Sequence, residues 1–162
     1  MQRTLAILLT TTTYGTWLRG DRRGWVDRGL VLPPNPDFEA ADRRRMKHPL
    51  FLFERGQLSK VGTFIGKSFR DRLQLRIFAL TVQTWHVHVL VAATEHSVEG
   101  IAKCAKDAVR WGLRPRQPIW SDGYDKRFCF NEESVHGRIE YVERHNLRIG
   151  LPEKPWDFIE SL

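Results

Sequence analysis

Apolar positions along the chain switch between two periods. Residues 3–13 run apolar and then threonine-rich without Gly or Pro, which predicts a strand. In residues 57–72, Leu58, Val61, Ile65 and Phe69 recur at three- and four-residue spacing and predict a helix with one apolar face. Residues 76–83 and 85–92 read as two strands. They follow each other so closely past Thr84 that they predict a hairpin or a sharp bend. A second amphipathic helix over 97–112 presents Val98, Ile101, Ala105, Ala108 and Val109. Ile119-Trp120 and residues 126–130 read as extended, with Ser121-Asp122-Gly123 as a turn between them. A last helix over 132–146 starts after Asn131 as N-cap, carries Glu132 and Glu133 in its electropositive first turn, and has Gly150 beyond its end. The order strand, helix, strand, strand, helix, strand, helix predicts an α+β fold. It is a ferredoxin-like antiparallel sheet, a split βαβ repeat with helices on one face, plus an added C-terminal helix. The first and third strands of such a sheet are central, and the third holds His86 and His88.

The remaining stretch is irregular. Residues 14–25 hold glycines and charges that exclude a regular element. From about residue 20 to 55 the chain carries Pro33, Pro34, Pro36, Pro49 and the cluster Arg43-Arg44-Arg45. This predicts one long basic excursion with a short helix at 37–46, inside a single domain spanning residues 1–162. Apolar residues make up 41% and charged residues 28%, a globular balance. No apolar run approaches the ~18 residues of a membrane span, so no membrane partner is expected. The apolar stretch at residues 5–9 is too short for a secretion signal. Cys104 and Cys129 match no zinc spacing and fit a reduced, cytoplasmic protein.

The net charge of +7 points to nucleic acid as partner. Candidate phosphate contacts are Lys60, Lys67 and Arg70 on one middle helix, Lys103, Lys106 and Arg110 on the other, and Arg43, Arg44 and Arg45 in the excursion. A charged stripe is equally the solvated face of an amphipathic helix. Trp17, Trp25, Trp111 and Trp120 can stack on single-stranded bases; for Trp111 and Trp120 a place in the core fits as well.

His86-Val87-His88 is the sharpest feature. Residues i and i+2 of a strand share a face, so both imidazoles project side by side and can chelate one divalent ion, while Val87, Val89 and Val91 face the helices. Two histidines on a solvated strand face, or hydrogen-bonded in a core, give the same pattern. Ordinary imidazoles near pKa ~6.5 would lose a metal below about pH 6. On the last helix Tyr141 and His145 are four apart and share a face, beside the apolar stripe Val135, Ile139 and Val142, with Gly137 one turn before the tyrosine. A tyrosine beside a metal can attack a phosphodiester; the same residue can also simply pack its ring on the sheet.

Three stretches together resemble the IS200-like and REP-associated tyrosine transposases, single-tyrosine members of the His-hydrophobe-His superfamily. They are Trp85-His86-Val87-His88-Val89-Leu90-Val91, Ile119-Trp120-Ser121-Asp122-Gly123-Tyr124, and Tyr141-Val142-Glu143-Arg144-His145-Asn146-Leu147-Arg148-Ile149-Gly150-Leu151. Tyr14-Gly15-Thr16-Trp17-Leu18-Arg19-Gly20-Asp21 is similar to an N-terminal motif of one transposase-like branch. The resemblance covers most of the chain and is weakest over residues 26–55. It implies a metal-dependent single-stranded DNA endonuclease and strand transferase. Tyr141 would be the catalytic nucleophile, forming a 5′-phosphotyrosine and releasing a 3′-hydroxyl. The implied cofactor is Mg²⁺ or Mn²⁺ on His86, His88 and a residue one turn after the tyrosine. That residue is usually Gln or Asn in the family and is His145 here, with Asn146 next to it. Trp85 stands where the family often has Asn. The implied partner is single-stranded or hairpin DNA, and both a homodimer exchanging the tyrosine helix and a monomer fit. The alternatives are a non-catalytic ferredoxin-like nucleic-acid-binding protein and a domesticated transposase acting as a DNA-binding regulator.

Overall fold

The valine–histidine alternation of residues 86–91 divides the molecule into two layers. In the computed structural model, which describes residues 2–162, strands β1 (Ala6–Thr12), β4 (Ile77–Val82), β5 (His86–Ala92) and β6 (Asp125–Cys129) form one antiparallel sheet in the order β4-β5-β1-β6. This is the expected split βαβ order, with β1 and β5 central. Helices α2 (Leu58–Leu73) and α3 (Val98–Leu113) cover one face. There Ile7, Leu9, Leu80, Val87, Val89 and Val91 bury against Val61, Ile65, Phe69, Ile101, Ala105 and Val109. Helix α4 (Glu132–Arg148) crosses the other face and seals Leu8, Phe78, Ala79 and Leu90 with Val135 and Val142. Every residue of β4 and all but the last of β5 are buried, as strands covered on both faces must be.

Within the excursion the structure differs from the sequence reading in one respect. A hairpin, β2 (Trp25–Asp27) and β3 (Leu30–Leu32), stands where no strand is expected. Its two turn residues, Arg28 and Gly29, both have positive φ, 48° and 80°, the geometry that fits the twist of a two-residue hairpin. Three-residue strands are too short to show a period, and Arg-Gly is not a usual hairpin pair. Trp25 is buried, edge-on to Phe38 at 5.8 Å between ring centroids, with Nε1 donating to the Pro33 carbonyl at 2.9 Å. It therefore offers no face to a base. The short helix α1 (Pro36–Arg45) is capped by the Asn35 side chain on the Phe38 amide. Arg43, Arg44 and Arg45 form its last turn, where cations complement the helix dipole.

After α4 the chain forms a strap that periodicity does not reveal. Lys154 pairs with Glu143 of α4 at 2.9 Å, and the Trp156 indole donates to the Ser59 carbonyl at 3.0 Å. Trp156 and Phe158 lie so close over Gly62 and Gly66 of α2 that any Cβ at either glycine would collide with the ring. Ile159 bridges Ile77 at the β4 edge, and the Glu160 amide donates to the Ile77 carbonyl at 2.8 Å. The strap thus clamps α4, β4 and α2 together. Trp156→Ala should cost about 3–5 kcal/mol of stability in urea denaturation. A loss below about 1 kcal/mol would show that the strap carries little of the fold's stability.

Candidate active site

The β1–β5 register sets Thr10 opposite His88 and Thr12 opposite His86, so threonines line the histidine-bearing face. Helix α4 lies over that face because Val135, Ile139 and Val142 bury there and because Asn146 is anchored at full burial. The Asn146 amide donates to the Leu80 carbonyl of β4 at 2.9 Å and to the Glu153 carbonyl at 3.1 Å. Gln83 adds a bond from its Nε2 to the His145 carbonyl at 3.3 Å. This clamp turns the Tyr141–His145 stripe onto the histidines.

His86, His88 and His145 converge, each with one ligand nitrogen, all within 4.8 Å of one another. Their ring centroids are 4.6 Å apart for His86–His88, 5.6 Å for His86–His145 and 4.9 Å for His88–His145. Nδ1 of His145 is 2.8 Å from the Tyr141 carbonyl. A carbonyl only accepts, so Nδ1 holds the proton and Nε2 keeps a lone pair. His88 Nδ1 is 2.6 Å from the Thr10 hydroxyl, and His88 Nε2 is 3.5 Å from the Tyr141 hydroxyl. The tautomer that donates Nδ1–H to Thr10 leaves Nε2 unprotonated toward the cluster, the usual outer support of a ligating histidine. His86 Nδ1 is buried with no hydrogen-bond partner among the described residues. An orphaned nitrogen among three clustered imidazoles fits a divalent cation that accepts nitrogen ligands. Asn146, next to His145, uses its Nδ2 on the Leu80 and Glu153 carbonyls, while its Oδ1 is buried with no hydrogen-bond partner among the described residues.

The electrostatics suit ligation. Burial, then His145 and then Arg23, lowers the pKa of His86 to about 4. Burial, then His86 and His145, lowers that of His88 to about 3. Both rings are neutral well below pH 6, so protonation at these two positions sets in lower than for free imidazoles. Tyr141 stays 41% exposed at the edge of the cluster, its ring 5.3 Å from His88 and 4.8 Å from His145. Gly137, one turn before it, leaves open space on that side.

The expected phosphate contacts do not gather here. Exposed Lys60, Lys67 and Arg70 lie on α2, behind the sheet. On α3, also behind it, Lys103 and Arg110 share Asp107 at 2.5 and 3.2 Å. Lys106 is half-buried, its pKa lowered by burial, and it pins the turn after Trp120 by donating to the Ser121 and Gly123 carbonyls at 2.9 and 2.7 Å. Arg43 pairs with Glu39 at 3.2 Å, while Arg44 and Arg45 are exposed on α1. Trp120 packs against the core and Trp111 is 51% exposed beneath Arg72. The sequence reading missed Thr10, whose only sign is the threonine run ending β1. It also missed Arg138 and Arg148, which three-residue spacing places on the Tyr141–His145 stripe, and Arg23, which reaches His86 from the excursion.

Metal-stripped protein should lose stability as pH falls. Unfolded histidines bind protons near pH 6.5, but the folded pair does so only near 4 and 3. The unfolded state therefore binds more protons between those values, and the stability present above pH 6.5 is lost below it. Urea denaturation at pH 7 and pH 5 should differ by roughly 1–2 kcal/mol per histidine, and less in His86→Gln/His88→Asn. Equal stability at the two pH values would mean the imidazoles titrate as free ones do.

No protein-family profile and no curated protein matches this chain. Among solved structures, a REP-associated tyrosine transposase bound to a REP hairpin aligns with 98% of this chain and 78% of its own, at 13% identity and a TM-score of 0.54. A chain from Deinococcus radiodurans R1, provisionally named a transposase, aligns at 17% identity over 90% of this chain and 93% of its own. Its TM-score of 0.43 is too low to support an argument. At such identities the likeness is one of fold: this chain shares the fold of a REP-associated tyrosine transposase.

Proposed function

We propose that this protein is a transposase-like, metal-dependent endonuclease and strand transferase acting on single-stranded or hairpin DNA. The observation that carries the reading is Tyr141, a partly exposed residue whose hydroxyl lies 3.5 Å from His88 Nε2 at the rim of a three-histidine cluster. The shared fold supports it, because the solved structure it matches is a tyrosine transposase bound to a REP hairpin. So does the net charge of +7.

His86, His88 and His145 would hold the cation, and three imidazoles favour Mn²⁺ over the oxygen-seeking Mg²⁺. When bound, such an ion polarises a phosphate oxygen and eases departure of the leaving oxygen. The chain's own groups do the rest. Thr10 holds the His88 ring, and the Tyr141 carbonyl holds that of His145. The His88 Nε2 lone pair serves one partner at a time, so the Tyr141 hydroxyl is free to turn to substrate whenever His88 is a ligand. The tyrosine oxygen then bonds to phosphorus and the P–O3′ bond breaks; the hydroxyl proton passes to solvent water and the departing 3′-oxygen takes one from water. The 5′ side stays on Tyr141, and the 3′-hydroxyl can reverse the step at another end. The strap ties α4, with Tyr141 and His145, to the sheet that carries His86 and His88, which supports a site complete without a second subunit.

Tyr141→Phe should fold, bind Mn²⁺ by calorimetry and bind single strands, yet give no covalent adduct with a cleavable oligonucleotide. An adduct in that variant would overturn the assignment. His88→Ala should lose at least 10-fold in Mn²⁺ affinity, the scale expected for disturbing a metal's ligand shell. His145→Ala should also weaken Mn²⁺ binding and regain some cleavage at raised Mn²⁺. Unchanged affinity in both histidine variants would remove the metal from the mechanism.

A further inference from the structure

The aromatic surface of the site continues beyond the histidines. The Trp85 ring lies 4.1 Å from that of His86, and Trp17 lies 5.6 Å from Trp85. The Arg23 guanidinium caps both indoles, 4.3 Å from the Trp17 ring and 4.7 Å from the Trp85 ring. The cluster is rigidly held. Arg23 Nε and Nη2 each donate to Asp21 carboxylate oxygens at 2.8 Å, and Nη2 also donates to the Thr16 carbonyl at 2.7 Å. Trp17 Nε1 donates to the Gly24 carbonyl at 2.8 Å. The loop that carries these residues is fixed at Gly20, which has φ +82° and whose carbonyl accepts from the Asn35 amide at 2.9 Å. Even so, Trp17 is 39% exposed and the Arg23 side chain 38%.

We propose that Trp17, Arg23 and Trp85 form a stacking site for one unpaired nucleobase of a DNA single strand, directly beside the three-histidine cluster. This rests on the reading above that single-stranded DNA is the substrate. The charge of Arg23 is matched by Asp21, whose carboxylate it holds below the usual range, so the cluster has little left for a phosphate. What it presents is flat: an indole face and a guanidinium plane, both of which stack on bases of any sequence. Its hydrogen bonds fix the rings before a ligand arrives, so little side-chain entropy is lost on binding. Contiguity with His86 puts the stacked base next to the phosphate that Tyr141 would attack. A cluster serving only the loop would gain from burying Trp17 and does not.

The test uses Mn²⁺-loaded protein carrying Tyr141→Phe, so that a short labelled oligonucleotide stays uncut, with affinity read by fluorescence anisotropy across a salt series. Adding Trp17→Ala should weaken binding roughly 5- to 100-fold, the range for losing one base stack. The slope of log affinity against log salt should stay unchanged, because stacking releases no counterions. Affinity within twofold of the parent would overturn the proposal. So would a weakening that comes with a slope reduced by about 0.7, the mark of a lost phosphate contact. A second arm leaves the protein intact: oligonucleotides with one abasic position each are tried in turn. One position should lose the same factor with the parent and nothing further with Trp17→Ala; if the two losses simply multiply at every position, the indole does not stack on a base. Adduct formation by protein with Tyr141 restored is measured separately. Its absence, with the stacking losses intact, would count against strand cleavage and leave the stacking site standing.

Discussion

Two imidazoles buried in the middle of a sheet impose the central constraint on this molecule. His86 and His88 stand on a central strand whose other face must carry valines for the core, and α4 closes over them. Removed from water, both rings stay neutral, and neutral rings keep lone pairs. One nitrogen of His86 finds no partner among the described residues. A buried polar atom left unpaired costs about 1–3 kcal/mol, so this face costs the fold some stability. A bound cation would return that cost.

The position of Tyr141 depends on groups far from it in sequence. Asn146 holds α4 to the β4 backbone, Gln83 reaches the His145 carbonyl, and the strap of residues 151–162 fastens the helix through Lys154 and Trp156. A helix held only by its short apolar stripe could slide or rotate, and a rotation of one residue would carry the tyrosine away from the histidines. The strap also explains Gly62 and Gly66 in α2, which otherwise weaken a helix: they admit the Trp156 and Phe158 rings.

Charge and chemistry are separated in space. The basic faces of α2 and α3 lie behind the sheet, and the charge on α3 is matched locally by Asp107 or used to hold a turn. The histidine face carries a run of rings, Trp85, His86, His88, His145 and Tyr141. A strand lying there would be gripped by stacking beside the cluster and by arginines along α4, with the general positive field acting at longer range.

The elements, their order and the sheet topology were legible because each rests on local periodicity: alternation in residues 86–91, three- and four-residue spacing in 58–69 and 98–109, and a capped start at Asn131. The same-face placement of His86 with His88, and of Tyr141 with His145, follows from strand and helix geometry alone. Periodicity says nothing of how one element sits on another. Bringing His145 to the cluster needed the packing of α4, since turning the helix by one residue, about 100°, would carry it away. The β2–β3 hairpin is too short to have a period, and the strap is defined by the glycines it meets in α2. Arg23, sixty-three positions from His86 in the chain, reaches it only because a turn fixed at Gly20 folds the excursion back. Local sequence thus determined which residues share a face, and long-range packing decided which faces meet.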